Sequence, residues 1–161
     1  VVFSFTSNLL SFIINSEIME VLIITKKAEN LLIAIWTVSL IATLGSLYFS
    51  EVRNYIPCEM CWYQRILMYP ILLISTVAII QKNVKTALTL LVFSVIGGAI
   101  ALYHYGIQKL SFLANTAPAC KTVSCTAQYI DWLGFITIPF LSLLAFTLII
   151  IASLAVMREA K

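Results

Sequence analysis

Trp62–Ile80 reads WYQRILMYPILLISTVAII, residues 81–85 read QKNVK, and Thr86–Tyr105 reads TALTLLVFSVIGGAIALYHY. Each long run approaches the roughly 20 apolar residues that an α-helix needs to cross a bilayer. Strands are a poor alternative, because an open strand leaves its backbone N–H and C=O groups unpaired in lipid. The connection through Gln81, Lys82, Asn83 and Lys85 is short and polar, which predicts a hairpin between two antiparallel helices. Further apolar runs lie upstream, from Leu31 to Phe49, and downstream, from Gly134 to Met157. The expected fold is an all-α membrane protein, a four-transmembrane-helix bundle with spans at 31–49, 62–80, 86–105 and 134–157 and two outward-facing cysteine-bearing loops.

Composition supports this class. The chain is 61% hydrophobic and 11% charged, with a mean hydropathy of +1.02, where soluble domains carry about 25% charge. Residues 26–161 are expected to form a single membrane domain. Residues 1–25 fit it poorly. Val1 to Asn15 is mostly apolar, but Glu17 and Glu20 interrupt the run and no basic stretch precedes it, unlike a cleavable signal peptide. An interfacial helix or an N-terminal extension is expected there, with Met19 a possible start, and no function is assigned to it.

Basic residues near span ends orient membrane helices. Lys26, Lys27, Lys82, Lys85, Arg158 and Lys161 fall on one side, and Arg53, Arg65, Lys109 and Lys121 on the other. The richer side is taken as cytoplasmic, with both termini and the middle loop, which leaves the cysteine-bearing segments extracytoplasmic. A net charge of +3 carried at span ends requires no nucleic-acid partner.

All four cysteines, Cys58, Cys61, Cys120 and Cys125, belong to those two outer segments. Thiols on an oxidising face pair as disulfides. As staples these pairs are weak, because each encloses a very short loop and a disulfide stabilises most when it closes a long one. A Cys-x-x-Cys pair opening a helix suits redox work, since the helix N-terminus stabilises a thiolate. A zinc or copper site remains a further reading of four thiolates, although no histidine or methionine cluster is expected beside them, and a structural subunit of a larger complex would explain the spans but not the cysteines. Arg65, four residues after Cys61, lies one turn deeper on the same helical face, where a cation favours a thiolate.

The run Cys58-Glu59-Met60-Cys61-Trp62-Tyr63-Gln64-Arg65, opening the second of four spans and followed by a second cysteine pair, resembles the DsbB family, nearest to its short Gram-positive BdbC branch. The resemblance runs from Lys26 to the C-terminus. It includes Tyr103-His104-Tyr105 and the segment from Gln128 to Phe140. It implies a membrane thiol-disulfide oxidoreductase of the bacterial cell membrane that sustains disulfide bond formation in exported proteins. Such an enzyme reoxidises a thioredoxin-like extracytoplasmic thiol oxidase of the DsbA or BdbD type and passes the electrons to the membrane quinone pool, menaquinone or ubiquinone.

On that resemblance Cys58–Cys61 and Cys120–Cys125 are the redox-active pairs. Cys120 takes the mixed disulfide with the partner, Cys61 meets quinone, and Arg65 binds a quinone carbonyl. His104 is a candidate for carrying a proton or touching quinone, and no metal is expected. Gln64 stands where relatives often carry an acid. Compared with Gram-negative members, the second pair is closely spaced, which leaves the division of labour between Cys120 and Cys125 less defined. A vitamin K epoxide reductase relative would carry its Cys-x-x-Cys in a late span instead. Gly97 and Gly98 are expected to admit a close helix neighbour, Pro70 and Pro139 to kink their spans, and Trp62, Tyr63, Tyr103, Tyr105 and Trp132 to form an interfacial belt.

Overall fold

The computed structural model describes residues 26–110 and 135–159. Four helices in it are long and apolar enough to cross a membrane. They are α1 (Lys26–Leu47), α2 (Glu59–Gln81), α3 (Ala87–Lys109) and α4 (Ile138–Glu159). The expected all-α bundle is thus the fold observed, and the chain is a multi-pass membrane protein. The expectations for residues 1–25, Cys120, Cys125, Lys121, Trp132 and Lys161 lie outside the described residues.

Each helix packs against two neighbours, α1 on α2 and α4, and α3 on α2 and α4, so the bundle is a square ring in chain order. Apolar burial provides no driving force between helices in lipid, so close packing by small and hydroxyl residues has to hold the ring. The interior carries Ser39, Ser75 and Ser94, all buried, and each hydroxyl donates back to a carbonyl of its own helix. Trp36 Nε1 donates to Thr76 Oγ1 at 3.0 Å, joining α1 to α2. A Cβ added at Gly97 would collide with the ring of the fully buried Phe146, so α3 meets α4 through the absence of a side chain. Large apolar residues such as Ile41, Leu73 and Ile80 point outward, as a lipid-facing surface requires.

The turns fix which ends meet. At the C-terminus of α2, Lys82 adopts a left-handed conformation (φ 51°), and its N–H and that of Asn83 return to carbonyls of the last helical turn. Asn83 Oδ1 then accepts from the Lys85 backbone N–H at 3.0 Å, and a short 3₁₀ turn at Val84–Thr86 leads into α3. This is the predicted hairpin. At that end Lys27 pairs with Glu159 at 3.5 Å and Lys82 with Glu29 at 3.9 Å. Both pairs are exposed and contribute little to stability, but they gather the basic residues Lys26, Lys27, Lys82, Lys85 and Arg158 at one end.

At the opposite end α1 runs on as a π-helical turn, Tyr48–Val52. Asn54, also left-handed (φ 53°), then turns the chain toward Cys58. Pro139 departs from expectation. It lies in the first turn of α4 rather than in its interior, where its missing N–H would have had no helical partner anyway, so it starts the helix instead of kinking it. Pro70 is inside α2.

Candidate redox site at the head of the second helix

Pro57 delivers an extended Cys58 (φ −72°, ψ 168°) as the N-cap of α2. The Cys58 carbonyl accepts the first helical hydrogen bond, from the Trp62 N–H at 3.2 Å, and Cys61 completes the first turn. A Cys-x-x-Cys on this geometry turns both sulfurs to the same side. Their Sγ atoms lie 2.9 Å apart, both as thiols. Cys58 is 5% exposed and packs against the buried Ile107 of α3, with Met60 and Tyr103 around them.

His104, 46 residues along the chain, places Nε2 at 3.7 Å from Cys58 Sγ. Its Nδ1 meets Gln64 Nε2 at 3.0 Å. Gln64 and His104 are both buried, at 6% and 1% exposure. With the amide nitrogen donating to Nδ1, the ring proton sits on Nε2 and is directed at the sulfur. The hydrogen bond with Cys61, and after it the one with His104, hold the Cys58 thiol well below its usual range, overcoming burial, which pushes it up. The reduced pair therefore carries its first negative charge on Cys58.

The antiparallel hairpin returns the outer end of α3 to the head of α2, and this brings the single histidine, His104, beside the first cysteine pair. Gln64, left without a role by the sequence, is the residue that orients the His104 ring.

Cys61 also borders a cavity of about 420 Å³ lined by α1, α2, α4 and the segment before Cys58. Arg65, Gln64, Met68 and Tyr69 of α2 line it, with Val38, Ala42, Gly45 and Ser46 of α1 and Ala145 of α4; His104 does not. Ile41, Leu141, Leu144 and Leu148 also line it and are exposed, so the cavity opens on the lipid-facing surface. Arg65 is tied at one edge of its guanidinium. Nε donates to Ser46 Oγ at 2.7 Å and a terminal nitrogen to the Ser46 carbonyl at 2.9 Å. The guanidinium also lies over the Trp62 ring, 5.4 Å from its centroid.

One turn deeper, the Tyr69 hydroxyl is buried with no hydrogen-bond partner among the described residues. Sequence reading missed it, since one more tyrosine in an apolar span carries no signal. An apolar, laterally open cavity with a cation and an orphaned phenol fits a flat lipid-soluble molecule with carbonyl oxygens.

Comparison with known proteins agrees with this chemistry. The family model described as disulfide bond formation protein DsbB matches residues 28–156. A probable disulfide formation protein C of Halalkalibacterium halodurans is 56% identical over 84% of this chain and 98% of its own length. The disulfide bond formation protein C of Bacillus subtilis is 53% identical over 74% of this chain and 87% of its own length. A prophage-derived disulfide bond formation protein B of the same organism is 34% identical over 85% of this chain and 92% of its own length. No solved structure matches the chain. With the family model spanning the whole bundle and its cysteine-headed second helix, the chain belongs to the DsbB family of disulfide bond formation proteins.

Proposed function

We propose that this protein reoxidises an extracytoplasmic thioredoxin-like thiol oxidase and delivers the electrons to membrane quinone. In this reading residues 26–161 act as one membrane domain, with both termini and the hairpin in the cytoplasm and the cysteine segments on the far side. Electrons pass from the partner to Cys120–Cys125 and then to Cys58–Cys61. The observation that carries it is the cavity, which joins Cys61, Arg65 and the Tyr69 hydroxyl, unpartnered among the described residues, on a face open to lipid.

Menaquinone and ubiquinone share the property needed here, an acceptor of two electrons and two protons. Arg65 and Tyr69 would hold its carbonyl oxygens, and Cys61 would meet the ring. A thiolate of the second pair attacks one sulfur of the Cys58–Cys61 bridge, and the other sulfur leaves as a thiolate. His104 holds a proton at Cys58 Sγ, kept in that tautomer by Gln64. Arg65, anchored on Ser46, offers the rest of its guanidinium to negative charge arriving in the cavity, where the scarcity of water strengthens it.

The test is quinone reduction by the purified protein in detergent, driven by a reduced thioredoxin-like oxidase. Turnover should vanish in Cys61→Ser and fall about 100-fold in Arg65→Ala. A folded native chain that reduces none of several quinones with any such partner would overturn the proposal.

A further inference from the structure

We propose that the reduced Cys58–Cys61 pair, together with His104, forms a site for a thiophilic divalent cation, zinc in the first instance, and that the site exists only while the pair is reduced. Cys58 Sγ, Cys61 Sγ and a His104 ring nitrogen lie within 4.8 Å of one another, drawn from two helices. Tetrahedral zinc has bonds of about 2.3 Å to sulfur and about 2.0 Å to nitrogen, which separates two sulfurs by about 3.8 Å and a sulfur from a nitrogen by about 3.5 Å. The Cys58 Sγ to His104 Nε2 distance of 3.7 Å already meets that spacing. The sulfurs, at 2.9 Å, need only part by a rotation at Cys61, whose side chain borders the open cavity.

The surroundings complete the donor set. A metal-bound histidine normally donates its second ring N–H to a fixed acceptor. Gln64 sits on Nδ1 at 3.0 Å, and turning its amide over presents the oxygen. Two thiolates and a neutral imidazole around a divalent cation sum to no net charge, which suits ligands of 5% and 1% exposure at Cys58 and His104. The fourth position faces the cavity side of Cys61, where a water can complete the tetrahedron.

Binding moves no electrons. Both sulfurs become metal-bound thiolates, and any proton that either still carries is released to solvent. A disulfide offers no such ligands, so cation and disulfide exclude each other, and a loaded site holds the protein in its reduced form until the cation leaves. This goes beyond the proposed electron relay and does not depend on it, because the readouts below involve no quinone and no partner.

The experiment uses the full chain in detergent, reduced and kept anaerobic, as Cys120→Ser/Cys125→Ser so that only the first pair can respond. Titration with cobalt(II) should give sulfur-to-metal charge-transfer bands saturating at one equivalent, lost on adding zinc. The disulfide form should give none. Gln64→Ala should weaken binding by about tenfold, and His104→Ala by more. On the native chain, zinc should shield Cys58 and Cys61 from alkylation, as read by peptide mass spectrometry, which covers a double variant that fails to fold. Absence of sulfur bands together with full alkylation of both cysteines in zinc would overturn the proposal, as would affinity unchanged in His104→Ala.

Discussion

At the residue scale the two sulfurs of one turn are unlike, because their neighbours differ. Cys58 is buried under α3 and receives hydrogen bonds from Cys61 and His104, whereas Cys61 borders the cavity. A thiol whose folded value is depressed keeps its charge as pH falls below the ordinary thiol range near about 8.5. The matching stabilisation of the reduced fold is present above that range and is lost as pH drops through the lowered value. Thiolate ultraviolet absorbance of the reduced Cys120→Ser/Cys125→Ser chain should therefore persist well below ordinary thiol pH, and His104→Ala should move its midpoint upward. A single midpoint at the ordinary value would contradict the assignment.

Tyr69 supports a second prediction at this scale. Its hydroxyl bonds to nothing among the described residues, so Tyr69→Phe should leave stability unchanged. The same change should raise the KM for quinone about fivefold, the worth of one hydrogen bond of about 1 kcal/mol. Equal KM values would remove Tyr69 from the site.

At the element scale the packing of α3 on α4 depends on one position more than on its neighbour. A methyl at Gly97 has no room against Phe146, while one at Gly98 would make ordinary 3.6 Å contacts with Ile150 and Phe146. Gly97→Ala should cost about 1–3 kcal/mol of overpacking. Gly98→Ala should be neutral or slightly stabilising, since alanine is the better helix former. Denaturation of the two variants in detergent checks the contrast.

The elements themselves were legible in the sequence. Long apolar runs, the polar hairpin and a Cys-x-x-Cys ahead of Trp62 located all four helices and the head of α2, and the spacing of Arg65 from Cys61 located the cavity's cation. The rotation of α3 was not legible. A helix that is apolar all round has no polar face to mark its inner side, so nothing local said that His104 would turn toward Cys58 rather than toward a ligand. Pro139 was misjudged for a related reason, because the apolar run continues upstream past the true start of α4.

At the scale of the whole molecule the ends of the bundle are chemically distinct. Lys26, Lys27, Lys82, Lys85 and Arg158 cluster where the ion pairs with Glu159 and Glu29 form, and the sulfurs, Arg53 and Lys109 lie at the other end. If the richer basic end is cytoplasmic, then in a cysteine-free background Asn54→Cys should react with a membrane-impermeant maleimide in intact cells. Lys85→Cys should react only after lysis. The reverse pattern would invert the proposed topology and put the cysteine chemistry in the reducing compartment.

The left-handed turn at Lys82 also sets a phase between two helices. Every residue of α3 is counted off from that turn, and each step rotates the helix by about 100°. One residue inserted in α3 between the turn and His104 would swing the imidazole about 100° away from Cys58, although Cys58, Cys61 and Arg65 all precede the insertion in the chain. Ring-to-sulfur alignment at one surface of the bilayer is thus indexed by chain length measured from the other, and it tolerates substitution along α3 far better than insertion or deletion.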